Sequence, residues 1–235
     1  MQNPDRFVVL DTETSALFDF SKPADAEGQP RLAHLALIYL DFELNIEREV
    51  DLLIKPDGWT LEPGAAAING LTLKRLMADG VPIAEALAEY SEAVKSGRVV
   101  VAYNAQFDTK VLRGELRRAA MPDLFMETRN ICVMRGMTDI CQIPYANGRA
   151  GFKFPKLAEA LAHIGASVAK EGAHTAMGDA RGALDIMRWL AKNQLLPPAG
   201  VHLAKKKPGD DVPTSKPRRA PAKSARPSAD DEIPA

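Results

Sequence analysis

Cysteine is scarce in this sequence. The 235 residues include only Cys132 and Cys141, so at most one disulfide bridge could form and a disulfide-built scaffold is excluded. No second cysteine pair or neighbouring histidine completes a zinc-binding pattern around them. Two reduced thiols are typical of cytoplasmic proteins, and we expect a cytoplasmic location.

Long hydrophobic runs and an excess of charge of one sign are also missing. The apolar run before the first acidic pair spans only residues 7–10, which predicts neither a signal peptide nor a membrane span. Lys and Arg number 30, Asp and Glu number 31, and the net charge is −1. Net charge alone therefore does not indicate a nucleic-acid partner, although an acidic site can mask a local basic groove.

Proline is unevenly distributed, and its distribution predicts a domain boundary. Residues 197–235 hold eight of the 17 prolines and no aromatic residue, so they cannot bury enough apolar surface to offset chain entropy. We therefore predict one domain over residues 1–196 and a disordered tail over residues 197–235. Basic clusters at residues 205–207 and 218–219 could attract phosphates weakly or tether a replication or repair protein. A solubilising tail without a partner is the alternative.

The alternation of apolar strands and helical patterns predicts the fold class. Predicted strands cover residues 7–10, 32–40, 50–54, 98–102 and 131–133, with residues 41–49 as the turn region between the second and third. Predicted helices cover residues 83–94, 106–119, 156–164 and 179–195. Three successive strands followed by alternating helix and strand indicate an α/β fold, with a mixed sheet flanked by helices.

The first acidic pair, Asp11 and Glu13, lies at the end of the first predicted strand. Residues i and i+2 of a strand point to the same face, so both carboxylates project together. Two adjacent negative charges are destabilising unless a cation lies between them. A bare Asp-x-Glu pair is more often a polar strand end at the surface, so this pair alone is not specific.

Two further groups of polar residues open predicted helices. Asn104, Phe107 and Asp108 directly follow the fourth strand, and His174 and Asp179 introduce the last helix. Strand-to-helix connections often carry active-site groups. Helix capping is the alternative role for Asn104 or Asp108, and an exposed histidine is the alternative for His174.

Taken together, the three groups predict a metal site. Hard cations such as Mg²⁺ prefer oxygen ligands. Two such ions about 3.5–4 Å apart can activate water and stabilise the leaving oxygen in phosphodiester cleavage. A histidine can accept the proton of the attacking water near neutral pH. The residues thus predict metal-assisted hydrolysis, without a direction along a strand.

The order and separation of Asp11-x-Glu13, Asn104-x-x-Phe107-Asp108 and His174-x-x-x-x-Asp179 resemble the DEDD superfamily of 3′→5′ exonucleases. His174 makes the chain similar to the DEDDh, or DnaQ-like, subgroup. Residues 138–157 resemble a branch of stand-alone bacterial members, and residues 67–72 resemble the segment between that family's third strand and next helix. The resemblance covers residues 7–190 and implies a ribonuclease H-like fold with a five-stranded mixed sheet.

Carried over residue by residue, the resemblance implies a set of ligands for two Mg²⁺ ions, which Mn²⁺ could replace: Asp11, Glu13, Asp108 and Asp179. It implies His174 as the general base. It implies four substrate-binding residues: Thr12, Thr14, Asn104 and Phe107. The sequence departs from the family pattern after the first motif, where Ala16 stands in place of a common glycine and residues 17–30 delay the second strand.

The function implied by the resemblance is a metal-dependent 3′→5′ exonuclease. We expect it to act on single-stranded or frayed DNA ends, in proofreading or repair-type trimming, and to release nucleoside 5′-monophosphates. An exoribonuclease is the alternative, because a two-metal core does not distinguish DNA from RNA. An inactive nucleic-acid-binding module is a third reading, which the complete set of four acids and one histidine disfavours.

Overall fold

A computed structural model of the protein describes residues 5–124, 126, 128–167 and 174–200. In chain order the strands are β1 Phe7–Thr14, β2 Leu32–Leu40, β3 Ile46–Leu53, β4 Val99–Ala102 and β5 Asn130–Cys132. The helices are α1 Pro63–Asn69, α2 Leu73–Asp79, α3 Ile83–Lys95, α4 Ala105–Arg118, α5 Val133–Cys141, α6 Leu157–His163 and α7 Ala176–Lys192.

The strands form one mixed sheet in the order β3-β2-β1-β4-β5. Strand β2 pairs antiparallel with β1 and β3, whereas β4 pairs parallel with β1 and β5. Helices cover both faces, and the predicted α/β fold on a five-stranded mixed sheet is confirmed. Strand β1 is the central strand, so residues at its end lie between the helices of the two faces.

The central strands are apolar on both faces because both faces are covered. All residues of β2 are buried, and β4 is the buried run Val-Val-Val-Ala, as expected for strands enclosed by helices. On one face, α5, α6 and α7 pack against Phe7 and Val9 of β1. On the other, α3 and α4 pack against Val8 and Leu10. Alternate residues of β1 therefore belong to different cores.

Strand β3 begins at Ile46, inside the region predicted to be a turn. Its first residues are exposed, and its acids pair with arginines of neighbouring elements. Arg98 binds Glu47, and Arg181 binds Glu49. An edge strand has a face open to water and tolerates such charges. The charged sequence therefore hid the first half of β3 from an interpretation based on apolar runs, which predicted a strand only over residues 50–54.

Three helices, α1, α2 and α5, were not predicted. Helices α1 and α2 span only seven residues each, too few to display a helical period. Local signals still define α1, which starts at Pro63 and is followed by Gly70, a left-handed capping residue with φ of 66°. Helix α1 is important because it borders the site described below.

The described part of the chain ends at Gly200, which pairs with Asn130 of β5 through backbone hydrogen bonds of 2.7 and 3.2 Å. Residues 201–235, most of the predicted tail, lie outside the described residues, so the division between residues 196 and 197 stays a prediction. Among the described residues, no helix has the length and apolar character needed to cross a membrane. Both cysteines are free thiols.

Candidate functional site

Strand β1 brings Asp11 and Glu13 to one end of the sheet. Both are partly buried, and by strand alternation they share the face of Phe7 and Val9, beneath α7. The chain cannot turn these side chains away without moving the apolar residues of the same face into water. The register of β1 therefore fixes the two carboxylates side by side, as predicted from their spacing.

Helix α7 adds Asp179 to this pair. The Thr175 side chain caps the helix by accepting a hydrogen bond from the Gly178 N–H at 3.1 Å, which places Asp179 in the first turn. Carboxylate oxygens of Asp11, Glu13 and Asp179 all lie within 4.8 Å of one another. Residues separated by more than 160 positions thus converge because α7 packs across β1.

Asp108 approaches the site from the opposite face of the sheet, in the first turn of α4. It is only 2% exposed. Its Oδ1 accepts hydrogen bonds from the Thr12 N–H at 3.0 Å and from the Thr12 hydroxyl at 2.8 Å. Asp108 is therefore held against the backbone of β1 at Thr12, the residue between Asp11 and Glu13. Helix capping does not account for this contact, since it links positions 96 residues apart.

His174 immediately precedes the cap of α7 and is exposed. Its φ of 61° lies in the left-handed region, which costs a non-glycine residue free energy and is frequent at functional sites. The imidazole borders the same cleft as the acids. It is thus available to a molecule bound in the cleft, in contrast to the buried Asp108.

The cleft has a volume of about 220 Å³. Its lining includes all five predicted catalytic residues, Asp11, Glu13, Asp108, His174 and Asp179, together with three of the four predicted substrate-binding residues, Thr12, Asn104 and Phe107. Thr14 is not part of this lining; it is buried, and its hydroxyl donates to the Ala16 carbonyl at 2.8 Å.

Burial and mutual repulsion raise the pKa values of the acids of the cleft. Burial, followed by the negative charges of Asp179 and Asp108, raises the pKa of Glu13 to about 8. Burial raises the pKa of Asp108 to about 7, although its bonds from Thr12 oppose the shift. The pKa of Asp11 is raised well above its ordinary range by burial and by the other acids. Ionising all of them together is therefore unfavourable without a compensating cation.

The pKa of Asp179 is raised as well. Burial raises its pKa, while neighbouring His174 opposes the rise through its charge and its backbone N–H. The histidine thus lies close enough to Asp179 to influence it electrostatically.

The chemistry of the donor set fits a divalent cation. Oxygen ligands of Mg²⁺ lie about 2.0–2.1 Å from the metal, so two ligand atoms of one ion are separated by at most ~4.2 Å. The oxygens of Asp11, Glu13 and Asp179, within 4.8 Å of one another, need only small adjustments to meet that limit. Hard oxygen donors of negative charge favour such an ion over soft metals.

Several residues around the acids were not singled out from the sequence. Asn69, the last residue of α1, hydrogen-bonds the Glu13 side chain and donates to the Thr14 carbonyl at 3.3 Å. Ile68, Tyr103 and Leu157 also line the cleft. Asn69 lies within residues 67–72, which resemble a segment of the family. Its role could not be predicted, because it depends on α1, a helix too short to show a periodic pattern.

Fold and site together define an α/β protein with a carboxylate-lined cleft, suited to a divalent cation, at one end of a mixed sheet. A family model described as an exonuclease, RNase_T, matches residues 8–187. This match includes most of the chain and all five acidic and histidine positions of the cleft. The protein belongs to this exonuclease family and is a nuclease by its family.

Solved structures of exonuclease I share the fold. The protein from E. coli in complex with a dT13 oligonucleotide has a TM-score of 0.66 at 22% identity, and its complex with a dA16 oligonucleotide has 0.64 at 21%. A product-bound exonuclease I has 0.65 at 20%. At this identity the likeness shows the fold alone, and the ribonuclease H-like prediction is confirmed.

The similarity covers unequal shares of the two chains. Each alignment includes 81% of this chain but only 42–45% of the exonuclease I chain. The chain therefore spans less than half the length of these structural relatives. Among curated proteins, no sequence matches it.

Proposed function

We propose that the protein is a metal-dependent 3′→5′ exonuclease of the DEDDh subgroup, similar to stand-alone bacterial members, that prefers DNA. The observation that carries this proposal is the convergence of Asp11, Glu13 and Asp179 within 4.8 Å, with Asp108 and His174 in the same cleft. The deoxyoligonucleotides bound to E. coli exonuclease I support DNA as the substrate class.

Within this proposal the four acids and the histidine have different roles. Asp11, Glu13, Asp108 and Asp179 would hold two Mg²⁺ ions, which Mn²⁺ could replace. Bound divalent cations supply positive charge that favours deprotonation of water and stabilises the leaving oxygen. His174, at the exposed rim of the cleft, accepts the proton of the attacking water. The water oxygen bonds to phosphorus as the bond between phosphorus and the 3′ oxygen breaks. The 3′ oxygen takes up a proton from solvent and stays on the shortened strand as a hydroxyl, and a nucleoside 5′-monophosphate leaves.

The terminal nucleotide is held by the remaining predicted residues. Asn104 and Phe107 line the cleft beside the acids and would contact the base or sugar. Thr12 lines the cleft as well and also anchors Asp108. Thr14, whose hydroxyl is already bonded to Ala16, would act through the backbone or by supporting Asn69. A single-stranded or frayed end fits a cleft of this size better than a duplex.

We propose trimming of DNA 3′ ends in proofreading or repair, a cytoplasmic location, and a replication or repair protein as a partner of residues 197–235. The free thiols of Cys132 and Cys141 agree with a reducing compartment.

The test compares two aspartates of one helix. Asp179 faces the cleft, whereas Asp185 lies on the exposed face of α7. Wild type, Asp179→Asn and Asp185→Asn are incubated with 5′-labelled single-stranded DNA or RNA of the same sequence, with Mg²⁺ or with excess EDTA.

We expect a ladder of products shortened from the 3′ end for wild type and Asp185→Asn, and at least about 100-fold slower digestion for Asp179→Asn. EDTA should stop digestion. Release of a labelled mononucleotide at the earliest times would exclude the proposed direction. Faster digestion of RNA than of DNA would favour the exoribonuclease, and wild-type rates for Asp179→Asn would refute the metal site.

A further inference from the structure

Three phenylalanine rings cluster beside the cleft. Phe18 and Phe20, in the segment between β1 and β2, lie with their ring centroids 5.6 Å apart. Phe107 of α4 lies 6.2 Å from Phe18 and 6.3 Å from Phe20. These separations are those of interacting aromatic pairs. Residues 17–30, where the sequence departs from the family pattern, therefore place two added rings against a residue of the cleft.

The cluster continues the surface of the cleft. Phe107 lines the cleft and also contacts the other two rings. Phe20 is 48% exposed and Leu17 is 80% exposed, so much of this apolar surface faces water. Exposed apolar surface next to a binding cleft is a feature of interaction sites. A purely structural role would be expected to bury Phe20 more completely.

Positive charge accompanies the rings. Lys110 Nζ lies 5.0 Å from the ring centroids of both Phe18 and Phe20, and it donates to the Phe20 carbonyl at 3.2 Å. Rings combined with a cation match the chemistry of a single-stranded nucleic acid, whose bases stack on aromatic side chains while cations attract its phosphates.

The segment that carries the rings is firmly attached. Gln29 is buried; its Nε2 donates to the Asp19 carbonyl at 2.7 Å, and its Oε1 accepts from the Asp19 N–H at 3.0 Å. A Cβ on Gly114 of α4 would lie 2.5 Å from the Ala24 carbonyl oxygen, so the segment packs directly on the helix. Arg118 donates to the same carbonyl at 3.1 Å. Such attachment lowers the entropy lost when a ligand binds.

The size of the cleft limits what it can contain. At about 220 Å³ it is smaller than the roughly 300–1,000 Å³ of pockets for drug-sized ligands, and it can enclose no more than the terminal nucleotide. The preceding nucleotides of a bound strand must therefore lie outside it, on the adjoining surface. The ring cluster is a surface of that kind.

We propose that Phe18 and Phe20, together with Phe107, form a stacking platform for unpaired bases on the 5′ side of the terminal nucleotide. This inference rests on the proposed nuclease function and adds a substrate-positioning surface to it. Stacking tolerates any base, so the platform favours single strands over duplexes without reading sequence. The contribution of Phe18 and Phe20 should appear in KM, because these two rings do not line the cleft that contains the acids.

The experiment compares two oligomers of equal length. One is a ten-nucleotide oligo(dT); the other has abasic sites at the second to fifth positions from its 3′ end. KM and kcat are measured with Mg²⁺ for wild type, Phe20→Ala, Phe20→Trp and Phe42→Ala. Phe42 is the matched control, since it is 47% exposed and follows β2 at the end of the sheet opposite the acids, where Leu40 pairs with Phe7. Thermal melting verifies that each variant is folded.

For wild type we expect a KM about 5- to 20-fold lower for the base-bearing oligomer. Phe20→Ala should lose most of this preference with kcat little changed, whereas Phe20→Trp and Phe42→Ala should retain it. An undiminished preference in Phe20→Ala, an equal loss on both oligomers, or no preference in wild type would overturn the platform. The absence of a preference in wild type would instead indicate that the exposed rings bind a protein partner. Failure of wild type to digest either oligomer would instead refute the proposed function itself.

Discussion

Replacing Glu13 by glutamine should stabilise the metal-free protein at alkaline pH. Glu13 shares the cleft with Asp11 and Asp179, whose oxygens lie within 4.8 Å, and its pKa is raised from an ordinary 4.5 to about 8. The unfolded chain loses this proton near pH 4.5, but the folded protein retains it to about pH 8. Stability is therefore lost as the pH rises through this window. Glutamine has a similar size and no charge to lose.

The magnitude follows from the two pKa values. A difference of about 3.5 in pKa corresponds to roughly 5 kcal/mol above pH 8. Glu13 is only partly buried, and its neighbours adjust their own protonation, so solvent and coupling reduce this value. We expect Glu13→Gln to be more stable than wild type by ~1–2 kcal/mol at pH 8.5, or about 2–8 °C in Tm for a domain of this size. Near pH 4.5 the difference should be close to zero.

The assay is thermal or urea unfolding in EDTA at pH 4.5 and 8.5. Glu27→Gln is the control. Because Glu27 is exposed, its replacement should leave the unfolding midpoint unchanged at both pH values. Adding Mg²⁺ at pH 8.5 should reverse the order, since the ion stabilises the folded wild type through a carboxylate that the variant lacks. Equal or lower stability of Glu13→Gln at pH 8.5 in EDTA would refute the reasoning.

Three further predictions test the site and the domain boundary. Asp108→Ala should abolish digestion of single-stranded oligomers, and an active variant would remove Asp108 from the ligand set. His174→Ala should lower kcat by about 10²–10⁴-fold with KM little changed; a wild-type rate across pH 6–9 would exclude the proton-accepting role. A chain ended after Gly200 should melt like the full chain, whereas one ended after residue 196 should melt lower, having lost the backbone bonds to Asn130. Identical melting of both truncated chains would contradict this.

Local sequence was sufficient where a feature depends on neighbouring residues. The apolar run before Asp11 predicted β1, and the period of a strand predicted that Asp11 and Glu13 share a face. The valines of β4, followed by Asn104 and Asp108, predicted a strand that ends in a helix with an acid in its first turn. These features were recognisable because strand alternation and helix initiation act over a few residues.

The first half of β3 and the whole of α1 have weak or misleading patterns and could not be predicted in this way. Strand β3 begins at Ile46 among exposed charges, and its acids are neutralised by Arg98 and Arg181, which are distant in sequence. Helix α1 is too short for a periodic signal, so the support that Asn69 gives to Glu13 was missed. In each case the stabilising partner comes from another part of the chain.

The sequence by itself determined which residues are acidic, how they are spaced along their strands and helices, and the family they resemble. Only the tertiary structure decided that Asp179 joins Asp11 and Glu13, that Thr12 holds Asp108 from the opposite face, and that Phe18 and Phe20 contact Phe107. The physical reason is that these contacts arise when helices pack on both faces of β1. Burial of apolar surface drives that packing, and it brings together side chains whose own interactions are unfavourable until a ligand arrives.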